Sequence, residues 1–293
     1  MLIETLSTFP HMYDSVMGES MMKRAQEKGI LEFRAHDLRD WTHDRHRTTD
    51  DDPYGGGAGL VMKCEPIFEA VEAILGKKFV EAKLASAMGE SGPGGLASSS
   101  TMVEFGGDAG CPDRASSAAP QIVFLAPQGR PFDDAYADKL AAADHLLFIC
   151  GHYEGIDERV YALADHVISL GDYVLTSGEL ASMVVIDAAV RKLPGVLGAA
   201  DGPVDESFTS GLLEYPQYTR PADFRGMRVP EVLTSGNHAA IARWRREQSL
   251  ARTAAARPDL IAAAEAAGRL APADQKFLKL LEPAPTGAAE GVS

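Results

Sequence analysis

Three short apolar runs in the middle of the chain each lead directly into a glycine. The runs are residues 122–125, 146–149 and 167–170, and the turns that follow contain Gly129, Gly151 and Gly171. Short apolar runs bounded by turn residues are typical of strands buried in a parallel sheet. Because the carboxyl ends of parallel strands meet at one edge, we expect the glycine turns to share a crevice there, where open α/β sheets bind nucleotides and cofactors.

The composition is that of a globular protein, with 293 residues of which 45% are apolar, enough for one large domain or two smaller ones. The three cysteines, Cys64, Cys111 and Cys150, are far apart and lack the spacing of a zinc site, which favours a reduced, cytoplasmic compartment. The amino terminus lacks the basic and long apolar regions of a signal peptide. No stretch approaches the roughly 18 apolar residues of a membrane span, so we expect no membrane partner.

Charge is distributed unevenly along this acidic chain. The net charge of −14 argues against a nucleic-acid partner, because phosphate binding requires clustered Lys and Arg. Residues 215–257, however, contain eight arginines, no lysine and three acidic residues, which leaves a local charge of +5. This segment is either a surface that follows nucleic-acid phosphates or the solvated face of a helix, and charge alone leaves both interpretations open.

The residue pattern predicts two domains. A strand over 2–6 is followed by a helix over 10–29 and an extended segment over 30–33, and a helix over 178–193 ends the first domain. Residues 85–119 are rich in Gly, Ser and Ala and bury too little apolar surface to fold alone, so we expect a flexible insertion. The predicted boundaries are 1–197 for the first domain, 198–212 for a linker, 213–282 for a helical domain in which Asn237 and Pro258 begin helices, and 283–293 for a disordered tail.

The glycines allow a structural as well as a functional interpretation. Gly151, Gly171 and Gly178 are either ordinary turn residues or parts of one ligand site, and their position after adjacent strands favours the site. Neither a dinucleotide-binding fingerprint nor a P-loop spacing is present. The polar and glycine-rich residues 42–59 are interpreted as a surface loop, because His43 and His46 have no third ligand at a spacing that would hold a metal. The glycines at 55–57 leave a second interpretation open, a close approach of the main chain to a ligand or a partner chain.

Short motifs spread in order along nearly the whole chain carry a specific resemblance. They are His-Asp-Arg-His-Arg at 43–47, Pro-Tyr-Gly-Gly-Gly at 53–57, Ala-Pro-Gln-Gly-Arg at 126–130, the glycine loops at 151–160 and 171–180, and segments 194–198, 207–208, 211–213, 218–221, 235–238 and 243–245. In these motifs the chain resembles the bacterial tRNA (guanine-N1)-methyltransferases, the TrmD family of the SPOUT class. Only the insertion and the tail fall outside the resemblance.

The resemblance implies an α/β fold, with a SPOUT trefoil-knot domain containing a parallel sheet and a smaller C-terminal helical domain that binds tRNA. It implies a homodimer whose active sites are built from both subunits. The implied reaction transfers a methyl group from S-adenosylmethionine to N1 of guanosine at position 37 of tRNA, next to the anticodon. Magnesium is reported for the family, but no metal-ligand spacing in this sequence identifies a site for it.

The resemblance assigns the cofactor to the three glycine loops. The assigned residues are Leu125, Pro127, Gly151, Tyr153, Glu154, Leu170, Gly171, Tyr173, Leu175 and Gly178. For catalysis it assigns Arg191 and a carboxylate that precedes the Ser-Phe pair at 207–208. The family has aspartate there, whereas this chain has Glu206 with Asp205 before it, and either carboxylate could act as the base. A second departure is Ser177, where family members often have glycine.

The implied chemistry gives each catalytic residue a task. Guanine N1 carries a proton and becomes nucleophilic only when a base, Glu206 or Asp205, removes it. The fixed fork of Arg191 would stabilise the negative charge that then develops on O6. The replacement of aspartate by Glu206 keeps two other hypotheses open, a non-catalytic RNA-binding protein on the same fold and a methyltransferase with a changed RNA target.

Overall fold

The computed structural model describes residues 1–89, 119–197 and 206–281. The chain divides into two compact units, Met1–Gly198 and Ala199–Ser293. Strands β1 to β9 span, in order, Leu2–Ser7, Glu32–Asp37, Asp50–Asp51, Val61–Met62, Gln121–Pro131, His145–Ile149, His166–Ser169, Asp223–Phe224 and Met227–Arg228. Helices α1 to α10 span Asp14–Met17, Ser20–Glu27, Cys64–Leu75, Lys77–Gly89, Asp134–Ala141, Gly178–Val190, Glu231–Thr234, His238–Ala256, Pro258–Ala266 and Pro272–Leu281.

The first unit contains a five-stranded sheet in the order β2-β1-β6-β5-β7, and all of its strand pairs are parallel. The three strands expected from the apolar runs are confirmed as β5, β6 and β7, and they are neighbours in the sheet. In β5, the middle one of these three strands, Val123 pairs with Phe148 of β6 on one side and with His166 of β7 on the other. The carboxyl ends of these strands therefore lie next to one another, as the sequence predicts.

Strand β5 makes a short excursion where its first glycine turn was expected. Leu125 and Arg130 both pair with Ile168 of β7, so residues 126–129 leave the strand and the chain then returns to the same partner. A Cβ on Gly129 would lie 2.5 Å from the main-chain nitrogen of Ile168. Glycine is therefore required for the return, and a loop projects from the sheet at this point.

Apolar side chains cover both faces of the sheet, as expected for a parallel sheet between helices. On one face, Ile3, Val123 and Phe148 pack with residues of α5 and α6. On the other face, Phe124 and Ile149 pack with residues of α3, α4 and the 3-10 helix Glu158–Leu163. This three-layer arrangement fixes the strand ends from which the loops emerge.

The predicted helix over 10–29 is wrong as a single helix. The chain forms a 3-10 helix over Pro10–Tyr13, then α1, and then α2 after a break at residues 18 and 19. Tyr13 and Met17 are buried four residues apart, but the next buried residue is Met22, five residues further on. A continuous helix would place Met22 on a different face from Met17, and the break allows both to enter the same core.

The helix expected over 178–193 is confirmed as α6 but ends at Val190. Helix α4 extends to Gly89, so the first five residues of the predicted insertion are helical. The remainder of that insertion through residue 118, residues 198–205 of the predicted linker and the predicted tail lie outside the described residues. Among the described residues, no helix combines the length and the apolar character needed to cross a membrane.

The second unit is mainly helical and has its own small core. Leu212, Leu250, Ala264 and Leu270 are buried together, so the core begins within the segment predicted as a linker. The side chain of Asn237 accepts a hydrogen bond from the amide of Ala240 and begins α8, and α9 begins at Pro258, as the sequence predicts. The β8–β9 hairpin was not expected in this domain.

Candidate active site at the glycine loops

A cavity of about 300 Å³ lies at the carboxyl ends of β5, β6 and β7, between the three glycine loops. All ten residues that the sequence assigned to a cofactor line it: Leu125, Pro127, Gly151, Tyr153, Glu154, Leu170, Gly171, Tyr173, Leu175 and Gly178. The lining also includes residues that sequence reasoning did not assign, among them His152, Ile156, Ile168, Thr176 and Ser177. The expectation of one shared crevice at this sheet edge is confirmed.

The loop after β6 and the start of α6 touch through their main chains. The amide of Gly178 donates a hydrogen bond to the carbonyl oxygen of Gly151 at 2.8 Å. A Cβ on Gly178 would lie 2.6 Å from the amide nitrogen of Gly151 and 2.9 Å from Cα of Cys150. Because these neighbours are main-chain atoms that cannot rotate away, only glycine permits this contact.

The loop after β7 presents exposed apolar and aromatic side chains. Gly171 has a φ of +143°, which residues with a Cβ rarely adopt. The side chains of Tyr173 and Val174 are more than half exposed, although both line the cavity. Exposed side chains of this kind next to a cavity are available to contact a ligand.

The loop after β6 is also tied to the β3–β4 hairpin. The amide of Met62 donates to the carbonyl of Gly155 at 3.0 Å, and the amide of Glu154 donates to the carbonyl of Leu60 at 3.1 Å. The sequence leaves two interpretations open for residues 42–59, a surface loop or part of a ligand site. These hydrogen bonds place the end of that segment against the wall of the cavity. Partial burial and the Asp50 carboxylate raise the pKa of the Tyr153 phenol.

Three polar residues of the sequence motifs do not line the cavity and form local contacts instead: Asp157, Arg159 and His43. Asp157 accepts a hydrogen bond from the amide of Arg159 and so begins the 3-10 helix that follows it. The Arg159 guanidinium also donates to both Asp157 oxygens, at 2.8 and 2.6 Å, and these bonds lower the pKa of that carboxyl. His43 lies 2.7 Å from Glu69 in an exposed pair, which agrees with its interpretation as part of a surface loop.

A buried acidic residue beneath the cavity was missed at the sequence level. Glu179, in the first turn of α6, is fully buried and accepts a hydrogen bond from the hydroxyl of Ser7. Its second oxygen lies 2.7 Å from Nε2 of His152, at ion-pair distance but without hydrogen-bond geometry. The signal that could have found it is an acid directly after a loop glycine, at the start of an otherwise apolar helix.

Two further buried polar groups lie beside this acid. The hydroxyl of Tyr13 lies 3.1 Å from Sγ of Cys150 and 2.6 Å from Oγ of Ser182. Burial, with the nearby Glu179 carboxylate, raises the pKa of the Cys150 thiol to about 12, and burial also raises the pKa of Tyr13. Both groups therefore remain neutral at physiological pH, and we assign them to the support of the loops.

The residues that the sequence assigned to catalysis are not gathered in this way. Arg191 ends α6 as its C-cap residue and is half-buried, but it does not line the cavity. The adjacent Lys192 forms an ion pair with Asp134 of α5 at 2.6 Å. Glu206 belongs to the second unit and is half-buried, and Asp205 lies outside the described residues.

Comparison with known proteins covers both units. The sequence model of the family described as tRNA (Guanine-1)-methyltransferase TrmD matches residues 1–94 and 90–263. The chain is 48% identical over 265 residues to the tRNA (guanine-N(1)-)-methyltransferase of Limosilactobacillus reuteri, covering 90% of this chain and 91% of that protein. Its counterpart from Symbiobacterium thermophilum is 49% identical over 265 residues, with coverages of 90% and 93%. That from Moorella thermoacetica is 46% identical over 280 residues, with coverages of 95% and 96%. The chain belongs to the tRNA (guanine-1)-methyltransferase TrmD family.

Proposed function

We propose that this chain transfers the methyl group of S-adenosylmethionine to N1 of guanosine at position 37 of tRNA, next to the anticodon. The observation that supports it most directly is the single cavity around which all ten assigned cofactor residues are gathered. Family membership supports the same reaction, since the chain covers more than 90% of the length of relatives named as tRNA (guanine-N(1)-)-methyltransferases.

The cavity suits an adenosine-containing cofactor in size and chemistry. At about 300 Å³ it has the volume of a small-molecule site, and its walls combine apolar side chains with uncovered main-chain groups of the loops. Ser177 is one of the lining residues, and its buried hydroxyl has no hydrogen-bond partner among the described residues. S-adenosylmethionine, when bound, supplies an electrophilic methyl group on its sulfonium.

The chain must also remove the proton from guanine N1. A carboxylate within hydrogen-bond reach of N1 can accept it, and we propose that Glu206 or Asp205 has this role. Arg191 would stabilise the charge that develops on O6, because its guanidinium is always positively charged and donates hydrogen bonds. The target base must leave the anticodon loop to reach the cavity, as unpaired loop bases can.

The reaction is tested by transfer of labelled methyl groups to two tRNA transcripts, with guanosine or adenosine at position 37. Label on the guanosine transcript alone is the expected result. Label on both transcripts, or on neither with cofactor binding intact, would contradict the proposal and support the changed-target or binding-protein hypothesis. Glu206→Gln and Asp205→Asn, assayed separately, identify the base as the position whose loss lowers kcat by about 100-fold or more.

We further propose that the chain forms a homodimer through α6. This helix is apolar on both sides: Val185 and Ile186 are buried in the core, whereas Leu180 and Val184 are 43% and 54% exposed. A helix that is apolar all round is normally buried all round, so a second surface is expected to cover the exposed side. Light scattering should give a dimer for the wild type and a monomer for Val184→Asp, and a monomeric wild type would contradict this.

The remaining parts of the proposal concern magnesium and the cellular compartment. The described residues contain no group of three or more His, Cys, Asp or Glu side chains placed to hold a metal ion. We therefore assign no step to magnesium, and assays with chelator and with added magnesium measure its contribution. We place the enzyme in the cytoplasm because its proposed substrate is tRNA, and fractionation of cells tests this.

A further inference from the structure

The second unit contains a cavity of its own, of about 400 Å³, that the reaction described above does not use. An extended segment after residue 214 supplies Tyr215, Tyr218 and Arg220 to its lining, and α8 supplies Ile241, Trp244 and Arg245. The lining includes no acidic residue, although the whole chain has a net charge of −14. The cavity is thus aromatic and basic within an acidic protein.

The aromatic residues of this cavity are not part of the hydrophobic core of the unit. That core contains Leu212 and Leu250, and the buried residues of α8 all lie in its second half, from Ser249 onward. Trp244 lies in the first half of α8 and is only half-buried, and Tyr218 is 49% exposed. Core packing therefore does not account for two large aromatic side chains that face a cavity.

The rings are arranged so that a planar ligand can reach them. The ring centroids of Tyr218 and Trp244 lie 6.4 Å apart at an interplanar angle of 52°, so the two rings do not stack on each other. The guanidinium of Arg245 lies 4.8 Å from the centroid of the Tyr215 ring. Aromatic faces and guanidinium planes side by side are the usual surfaces on which proteins stack unpaired nucleobases.

The arginines of the basic segment fall into two groups. Four of the eight form ion pairs with carboxylates: Arg228 with Asp223, Arg243 with Glu247, Arg246 with Asp274 and Arg257 with Asp259. Within the part of the chain that the structure describes, the other four, Arg220, Arg225, Arg245 and Arg252, form no ion pair. Two of these four, Arg220 and Arg245, line the cavity.

This division decides between the two interpretations of the basic segment. The guanidinium groups of Arg220 and Arg245 lie beside an aromatic cavity whose lining includes no acidic residue. A solvated helix face does not account for this arrangement. Unpaired guanidinium groups there attract phosphate and release its counterions, which favours nucleic acid over an apolar ligand. Stacking surfaces next to phosphate-binding groups match one unit of a single-stranded nucleic acid, a base with its flanking phosphate.

We propose that this cavity binds one unpaired nucleotide of the tRNA substrate, distinct from the guanosine that is methylated. The base stacks against Trp244 and Tyr218, and Arg220 and Arg245 contact the adjacent phosphates. The proposal rests on tRNA being the substrate, and it adds a second point at which the anticodon region is held. Single-stranded loop nucleotides can occupy such a cavity because their bases are not paired.

The first experiment measures binding of the tRNA transcript to full-length variants, together with steady-state kinetics. Trp244→Ala should weaken tRNA binding and raise KM by about 10-fold, with kcat at saturating tRNA and S-adenosylmethionine affinity unchanged. Trp244→Phe should retain most of the affinity, because a ring remains to stack. If Trp244→Ala fails to fold, Tyr218→Ala carries the same test.

The arginines are tested against a matched control on the same helix. Arg245→Ala should lower tRNA affinity and reduce the salt dependence of binding by about one released ion. Arg243→Ala, which removes an equally charged but already paired arginine, should stay within about twofold of the wild type. Equal losses for the two variants would overturn the assignment of Arg245 to this cavity.

A double-mutant cycle identifies the occupant. Each unpaired nucleotide of the anticodon loop other than position 37 is replaced in turn by an abasic unit, and binding is measured with wild type and with Trp244→Ala. One position should weaken wild-type binding yet have no further effect in the variant, which shows coupling between that base and Trp244. Methylation by the wild type without coupling at any position would overturn the subsite alone. No methylation by the wild type would instead overturn the proposed function.

Discussion

The main-chain amide of Gly178 and the carbonyl of Gly151 are joined by a 2.8 Å hydrogen bond that connects the start of α6 to the end of β6. Two of the three loops around the candidate cofactor cavity thereby become one rigid wall. The contact is close because neither residue has a side chain, and a Cβ on Gly178 would approach main-chain atoms at 2.6 Å.

Gly178→Ala should therefore separate the two loops. We expect a loss of stability of about 1–3 kcal/mol, typical of overpacking, and a fall in S-adenosylmethionine affinity of about 10-fold or more. Calorimetric binding and urea unfolding measure the two effects. Gly151→Ala is the control for stability, because its Cβ would meet only the flexible end of Ile156, at 3.3 Å. Equal destabilisation by both variants would contradict the steric argument.

Replacement of Glu179 tests the buried acid beneath the cavity. Glu179→Ala removes the acceptor of the hydrogen bond from the buried Ser7 hydroxyl and leaves that donor without its partner. An unsatisfied buried polar group typically costs about 1–3 kcal/mol, so we expect a drop of that size in the free energy of unfolding. Glu154→Ala removes an exposed acid from the same wall and should change that free energy by less than about 0.5 kcal/mol.

Acid should destabilise the protein through His166. Its Nδ1 lies 2.9 Å from the Tyr136 hydroxyl and its Nε2 lies 2.8 Å from Oε1 of Gln121, which suits a neutral ring that donates from Nε2. Burial, helped by the Lys139 ammonium, lowers the pKa of His166 from 6.5 to about 4. Between these values the unfolded chain binds a proton that the folded chain does not, so stability falls as the pH is lowered through this window.

The expected loss from His166 amounts to about 3 kcal/mol between pH 6.5 and 4, with no contribution above pH 6.5. Urea unfolding at several pH values measures it. His166→Gln has no ring to protonate, so the difference in stability between wild type and variant should shrink as the pH falls. A difference that stays constant across this window would show that His166 does not titrate as proposed.

The parts of the fold that the sequence predicts are those with a local signal. Buried parallel strands read as continuous apolar runs, which is why β5, β6 and β7 could be located, and the caps at Asn237 and Pro258 act on their own helices. The prediction of a single helix over 10–29 is wrong because the break in the helix depends on which side chains are buried in the core. The cavity lining followed from the resemblance and from the shared edge of the strands.

Other features could not be predicted because they depend on contacts between distant segments. His152 and Glu179 lie at ion-pair distance although they are 27 positions apart in the chain. Ser7 and Glu179 form a hydrogen bond across 172 positions. In the sequence, the division of the arginines into paired and unpaired sets is equally hidden, since Arg246 meets Asp274 only through helix packing. Charge counting gives the net value but not which guanidinium groups remain available.

Lys192 should position Arg191 for the proposed reaction. Its side chain is 9% exposed, and its ammonium lies 2.6 Å from Asp134 and 3.6 Å from Asp138, so it fastens the end of α6 to α5 one residue beyond Arg191. Lys192→Ala should release this end and lower kcat by about 10- to 100-fold, because small displacements of a catalytic group are costly. S-adenosylmethionine affinity should change little, since Lys192 does not line the cavity.

Asp134→Asn should produce a similar loss of kcat, and the double variant should be no worse than Lys192→Ala, because both changes break the same contact. Lys192→Arg, which preserves the charge, should restore part of the activity. Lys139→Ala removes an exposed cation from α5 and serves as the control. Additive losses in the double variant would show that Lys192 affects turnover by some route other than its contact with Asp134.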